Sequence, residues 1–383
     1  QEKIIIKKKE NMKINILKIC LPALAVISLS ACSDWMKPEP IINDVPLTDI
    51  VKDDAYYEAL RAFKKSEHSV SFGWFSEWDE GEAATTNMLQ AVPDSMDIIS
   101  LWSNFNLTPK KRADLEFVRK VKGTRVVLCT FVGEVGCLFT PAEYTESVEK
   151  QKEYWGWVDG DNEAIHNSII KWTKAVSDSL YANGFDGIDI DYEPGEYGGS
   201  LCRNNQYFTW FVEEMGKYIG PESGTDRLFV LDGYLQSIPN PGQLGIYFDY
   251  FITQAYSWGG TMSDSSLESR LASYYPVFSS IYTEEEFTNR FIVTENLESA
   301  LDCLKGGFLW SYNGHTLKRD KFPGLLGYAS WEPKNGFRKG GFGAFRFSNE
   351  KVNTPRYKWM RKAIQQQNPA PGYTVIKKED CID

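Results

Sequence analysis

Short apolar runs recur along the chain, separated by longer stretches with helical periodicity. The runs are SVSFGWF (69–75), DIISLW (97–102), RVVLCTF (125–131), FDGIDIDYE (185–193), LFVLDGY (228–234), FDYFITQAY (248–256), RFIVTENL (290–297) and GFGAFRF (341–347). Their brevity and their β-branched and aromatic content predict strands. Between them, KKRADLEFVRKV, EAIHNSIIKWTKAVSDSLYANG, QYFTWFVEEMGKYIG and LESRLASYYPVFSSIY repeat apolar positions every three or four residues and predict helices. Another helix, DDAYYEALRAFKKSEH, precedes the first strand with Tyr57, Leu60 and Phe63 on one face. The segment TPRYKWMRKAIQQQ is expected to close the series, with Thr354 as N-cap and Pro355 at the first helical position.

Eight strands alternating with helices predict an α/β fold, a (β/α)8 TIM barrel. An open doubly wound sheet competes, but SFGWFSEWDEGEA after the first strand lacks the glycine-rich phosphate loop of that architecture. The run GLLGYASW (324–331) is an alternative eighth strand. GFGAFRF is preferred because Gly340-Gly341 and the closing helix frame it.

The N-terminal pattern differs from the rest. From Met12 the chain reads MKINILKICLPALAVISLSAC, a basic stem, an apolar run and small residues ending at Cys32. That is the layout of a secretory signal, too short for a spanning helix. Leu29-Ser30-Ala31-Cys32 resembles a bacterial lipobox, which implies lipidation of Cys32, export, and anchoring at the outer membrane or cell surface; an ordinary signal peptide is the alternative. The expected organisation is a signal with an upstream extension over 1–31, a lipidated cysteine and Pro-rich linker over 32–50, the (β/α)8 barrel over 51–368 and a loose tail over 369–383.

The formal net charge is −10, and residues 1–31 contribute six Lys and two Glu, which leaves −14 for the remainder. Such acidity argues against nucleic acid or anionic head groups as partners, so the membrane is expected to be met only through the lipid. A monomer is expected. Seven cysteines (20, 32, 129, 137, 202, 303 and 381) show neither C-x-x-C spacing nor a nearby His cluster, so no metal site is expected. His68, His166 and His315 likewise lack ligand spacing.

The chemistry concentrates in Asp186-Gly187-Ile188-Asp189-Ile190-Asp191-Tyr192-Glu193. In a strand, Asp189, Asp191 and Glu193 share one face, and Ile188, Ile190 and Tyr192 the other. In a barrel the apolar set packs on helices and the carboxyls point into the lumen, at the strand end where barrel enzymes build their sites. Crowded carboxyls raise one another's pKa, so at least one is expected to be protonated at neutral pH, as a general acid requires. A calcium loop counted from Asp189 needs Gly at its sixth position and Glu at its twelfth. The chain has Pro194 and Ser200 there. A structural acidic cluster paired with Arg or Lys remains as an alternative.

Residues Asp186 to Glu193, preceded by Gly184-Phe185, resemble the complete D-x-x-D-x-D-x-E signature of glycoside hydrolase family 18, on the fourth strand of eight. The resemblance implies that Glu193 protonates the leaving oxygen, that Asp191 orients the substrate's acetamido group, and that Asp189 shares a proton with Asp191. Asp186 has the opposite parity and reads as structural. It also implies a retaining, substrate-assisted reaction through an oxazolinium ion, with no cofactor. Gln254-Ala255-Tyr256-Ser257 looks more like the endo-β-N-acetylglucosaminidase branch than the Met-x-Tyr-Asp of chitinases, and the run after Gly340 resembles lipoprotein enzymes of that branch from Bacteroidetes. By that likeness the substrate is an N-glycan or another GlcNAc-containing oligosaccharide, with Tyr256 and Gln254 contacting the acetamido sugar. A chitinase and a non-catalytic glycan-binding barrel are the alternatives. Trp74, Trp78, Trp102, Phe131 and Trp258 are candidate stacking platforms, Trp74 and Trp258 foremost, and the loop Pro194–Gly199 is placed to shape the product side.

Overall fold

The computed structural model describes residues 52–79, 87–102, 107–195, 198–256, 262–308, 310–312, 315–316 and 323–369. The expected signal, Cys32, the linker, Trp258 and the tail beyond Pro369 lie outside the described residues.

Eight parallel strands close into a barrel. They are β1 (Val70–Phe75), β2 (Ile98–Leu101), β3 (Arg125–Phe131), β4 (Gly187–Tyr192), β5 (Leu228–Gly233), β6 (Tyr250–Thr253), β7 (Phe291–Asn296) and β8 (Gly341–Phe345). Neighbours in sequence are neighbours in the barrel, and β8 closes it by pairing with β1, Val70 opposite Gly341. All eight expected strands are present, trimmed at their ends. Around them run α1 (Asp54–Lys65), α2 (Pro109–Glu116), α3 (Asn162–Asn183), α4 (Asn205–Met215), α5 (Asp264–Phe278), α6 (Gly324–Ser330) and α7 (Lys358–Gln367), with shorter helical turns. Met262–Ser263, Trp310–Tyr312 and His315–Thr316 form a small three-stranded sheet in the connections that follow β6 and β7.

Strand parity sorts the core into two layers. Phe72, Trp74, Val127, Cys129, Val230 and Ile252 fill the lumen, whereas Val126, Leu128, Ile188, Ile190 and Leu231 pack outward. Helix α3 shows how local sequence feeds β4. Asp161 caps its start by accepting from the Glu163 and Ala164 N–H groups, and Gly184 ends it at φ 76°, donating to the Leu180 carbonyl. Gly187 then enters β4 at φ 144°, where a Cβ would collide with the Leu228 carbonyl oxygen. The glycine inside the acidic signature is thus set by the approach of β5.

The alternative weighed for the eighth strand fails, and one expectation needs correction. GLLGYASW is not a strand: Gly324–Ser330 is α6, with Gly327 pressed against the Trp310 ring. The last helix does not start at Thr354 and Pro355, whose peptide bond is cis; it starts at Lys358. Its cap comes from a buried carboxylate earlier in the chain. Glu350 accepts from the Trp359 N–H at 2.9 Å and the Met360 N–H at 2.8 Å, which satisfies two orphan donors of the first turn.

Candidate active site

The acidic strand β4 rises through the lumen, and its side chains become less buried toward the mouth. Asp189 is fully enclosed, Asp191 is 3 % exposed and Glu193, just past the strand, is half-buried. Burying a carboxylate is unfavourable by several kcal/mol unless donors replace water, about 1.5–3 kcal/mol coming from each hydrogen bond to a charged group. Asp189 has such donors. The Trp74 indole N–H and the Ser100 hydroxyl both donate to its Oδ2, at 2.8 and 2.7 Å. Asp191 accepts from the Gln254 side-chain amide at 3.1 Å.

A third buried carboxyl, not singled out from the sequence, joins them. Asp232 on β5 sits directly across the ladder from Asp191, is fully enclosed, and accepts from the same Gln254 nitrogen at 2.9 Å. The Cys129 sulfur and one oxygen each of Asp189 and Asp232 lie within 4.8 Å of one another. The signal for Asp232 was present: LFVLDGY places an acid at an inward position near the C-terminal end of a strand, the pattern that marked Asp189 and Asp191.

Burial first raises all three carboxyls, and charge crowding adds to it: Glu193 and Asp189 push Asp191 up, and Asp191 and Asp189 push Asp232 far above the usual carboxylate range. The cluster therefore retains at least one proton at neutral pH, as the sequence suggested, and a third acid joins the two that share it in the family signature. Asp186 stands apart, at the start of the strand. Arg119 grips it with two hydrogen bonds of 2.6 Å, and the Val126 N–H donates to it at 2.8 Å.

Above the cluster opens a cavity of about 590 Å3, on the face where the strands end. Asp191, Glu193, Gln254 and Tyr256 line it together with Trp74, Trp102, Phe131 and Phe345, while Arg270, Tyr274, Asn296, Glu298 and Arg346 stand around them. Trp102 meets Phe131 and Phe345 edge-on, at 5.3 and 5.5 Å between centroids, which builds an aromatic wall suited to the apolar C–H faces of a sugar. Tyr256 lies near-parallel to Phe345 at 6.0 Å. Burial and the neighbouring carboxyls raise its phenol far above the ordinary range, so it stays a hydroxyl donor. The Tyr328 hydroxyl donates to the Ala255 carbonyl and pins the Gln254–Tyr256 segment. After Glu193, Arg203 holds the loop by donating to the Pro194 and Gly195 carbonyls at 3.2 and 2.9 Å. Glu196 and Tyr197 of that loop lie outside the described residues.

Trp78 does not belong to the cavity. Its indole N–H donates to Asp114 of α2 at 2.9 Å, so its role is packing between strand and helix. His68 bonds Asp97 at 3.1 Å and His166 stacks on Trp210, both away from the cavity. Cys129, Cys137, Cys202 and Cys303 are free thiols. A second cavity, of about 510 Å3, lies where the strands begin, and Asp186 is its only contribution from the acidic signature.

Comparison with known proteins agrees with this geometry. Residues 39–366 match the family described as glycoside hydrolase family 18, BT1044-like. Endo-beta-N-acetylglucosaminidase F2 of Elizabethkingia meningoseptica is 24 % identical over 338 residues, 81 % of this chain and 85 % of that protein. Among solved structures, a selenomethionine form of BT1044 is similar at 27 % identity and a TM-score of 0.67, covering 82 % of this chain and 93 % of that one. The apo endo-beta-N-acetylglucosaminidase from Cordyceps militaris shares the fold at 18 % identity and a TM-score of 0.58, covering 83 % of this chain and 97 % of that one. With its closed eight-stranded barrel and the complete acidic signature on β4, the chain belongs to glycoside hydrolase family 18, in the BT1044-like group.

Proposed function

We propose that this protein is an endo-β-N-acetylglucosaminidase that cuts the GlcNAcβ1-4GlcNAc core of N-glycans. The observation that carries the reading is the carboxyl ladder Asp189–Asp191–Glu193 opening into a cavity that also holds Gln254 and Tyr256, in place of the chitinase pattern. The relative from Elizabethkingia meningoseptica, which carries that activity in its name, supports it.

In this reading Glu193 donates its proton to the glycosidic oxygen at the cavity floor. The substrate's 2-acetamido oxygen attacks the anomeric carbon as the bond to the leaving sugar breaks, forming an oxazolinium ion. Asp191 aligns the acetamido N–H and stabilises the developing positive charge, and the Tyr256 hydroxyl donates to the acetamido carbonyl. Water, deprotonated by Glu193, then opens the ring and restores the starting anomeric configuration. Trp74 forms part of the floor, and Trp102 and Phe131 offer apolar surface to the sugar. Lipidation of Cys32, with the barrel held as a monomer outside the cell, completes the proposal; the lipobox resemblance and the acidic composition support it.

Mass spectrometry of glycans released from ribonuclease B and from immunoglobulin G tests the activity. Glycans ending in one GlcNAc, released by the wild type and absent with Glu193→Gln, are expected. Cleavage of chitin oligomers with no release from either glycoprotein would overturn the N-glycan reading in favour of a chitinase.

A further inference from the structure

The carboxyl cluster contains a member that the family signature does not account for. Asp232 lies on β5, outside D-x-x-D-x-D-x-E, and is fully buried in register with Asp191. Its Oδ1 accepts from Gln254 at 2.9 Å; its Oδ2 is enclosed and receives no N–H or O–H donor other than what the neighbouring carboxyls supply. The same holds for Oδ1 of Asp189, whose other oxygen takes the donors of Trp74 and Ser100. Two buried acceptor oxygens from adjacent acids, with no N–H or O–H donor and only the weakly donating Cys129 thiol beside them, repel each other unless a proton lies between them.

Three acids compete for that proton, and their partners rank them. Asp189 holds two strong donors and is favoured as an anion. Asp191 reaches the cavity and shares the Gln254 amide. Asp232 has half of one amide and no access to water. It faces Asp189 and Asp191 from β4, Cys129 from β3, and Gln254 and Tyr256 from the β6 segment, none of them a cation. Arg270 and Arg346 stand at the cavity wall, where Arg270 donates to Thr253 at 3.4 Å and Arg346 pairs with Glu298 at 3.5 Å.

We propose that Asp232 holds the proton of this cluster and acts as a positioning residue, its acid O–H donating to the carboxylates of Asp189 and Asp191 so that Asp191 stays anionic and aimed into the cavity. Burial, followed by the charges of Asp191 and Asp189, raises Asp232 far above the usual carboxylate range, in agreement with this placement. The Gln254 amide completes the device by bridging Asp191 and Asp232 from one nitrogen. The catalytic consequence rests on the function proposed above; the location of the proton does not.

Infrared difference spectroscopy locates the proton without any substrate. At neutral pH, wild type minus Asp232→Asn is expected to show a buried carboxylic C=O band, and wild type minus Asp191→Asn is expected to lack it. The reverse pattern overturns the proposal, because the proton would then belong to the Asp189–Asp191 pair. The kinetic arm uses whichever of ribonuclease B, immunoglobulin G or chitin oligomers the wild type cleaves. Asp232→Ala is expected to lower kcat on the order of 10²-fold with KM little changed, since Asp191 loses its alignment. Asp232→Asn, whose amide N–H replaces the acid O–H as a donor, is expected to recover most of that loss. Equal damage from Asn and Ala, with unchanged melting temperatures, contradicts the positioning role. A wild type inactive on all three substrates would sink the proposed function, while the infrared result would still decide where the proton sits.

Discussion

Glu193 differs from the carboxyls below it chiefly in exposure. Asp189 and Asp191 are enclosed and tied to protein donors, whereas Glu193 stands half-buried at the cavity floor, where a glycosidic oxygen can reach it. Removing its acidity by Glu193→Gln is expected to lower kcat by about 10²–10⁴-fold, the usual contribution of a positioned general acid, with little change in melting temperature. Steady-state kinetics on a glycopeptide checks the first part and differential scanning fluorimetry the second. Asp191→Asn keeps the size of the side chain but removes the charge that the proposed mechanism sets against the oxazolinium ion. It is expected to lower kcat far more than it raises KM; a variant affected only in KM would show that Asp191 merely binds the substrate.

The acids are in place because of how β4 enters the barrel. Gly187 is confined by the Leu228 carbonyl at a φ of 144°, so Gly187→Ala combines backbone strain with a clash against β5. The expected loss is about 4 kcal/mol or more, the range of severe core lesions, seen as a large fall in the urea midpoint. At the far end of the chain, Glu350→Ala removes the carboxylate that caps α7 and is expected to destabilise the protein by about 1–2 kcal/mol. Thr354→Ala, at the position the sequence favoured as cap, is expected to leave the midpoint nearly unchanged.

These elements also explain what could be read from the chain. Period-two alternation in FDGIDIDYE specified which side chains enter the lumen, because strand geometry is local. The cap of α7 was invisible because Glu350 acts from outside the helix across an intervening turn. Asp232 carried the right parity but no motif, and only the register of β5 against β4 reveals that it meets Asp191. Trp78 misled for the opposite reason: an aromatic near a strand end is equally suited to the strand–helix layer, and the Asp114 acceptor decides its place.

At the scale of the whole molecule, enclosed acids couple stability to pH. Burial pushes Asp249 up to about 6 and Glu350 up to about 7, and the lumen cluster is raised as well. Groups whose folded pKa exceeds the unfolded value, near 4 for carboxyls, stabilise fully below that value and lose the contribution as pH climbs through the folded one. Lys64, lowered to about 7 by burial, is charged in both states over most of this window and begins to oppose the trend only as pH approaches 7. The melting temperature is therefore expected to be higher at pH 5 than at pH 7 by about 2–4 °C per kcal/mol lost. A melting temperature that rises across that interval contradicts the assigned protonation.

The central claim is that the substrate's own acetamido group is the nucleophile and Glu193 the proton source. Proton NMR of the anomeric signal, recorded as a high-mannose glycopeptide is cleaved, tests it most directly. The expected result is that the β-anomer of the new GlcNAc terminus appears first and then mutarotates, with no product from Glu193→Gln on the same timescale. Initial appearance of the α-anomer would mean direct attack by water with inversion and would contradict the mechanism.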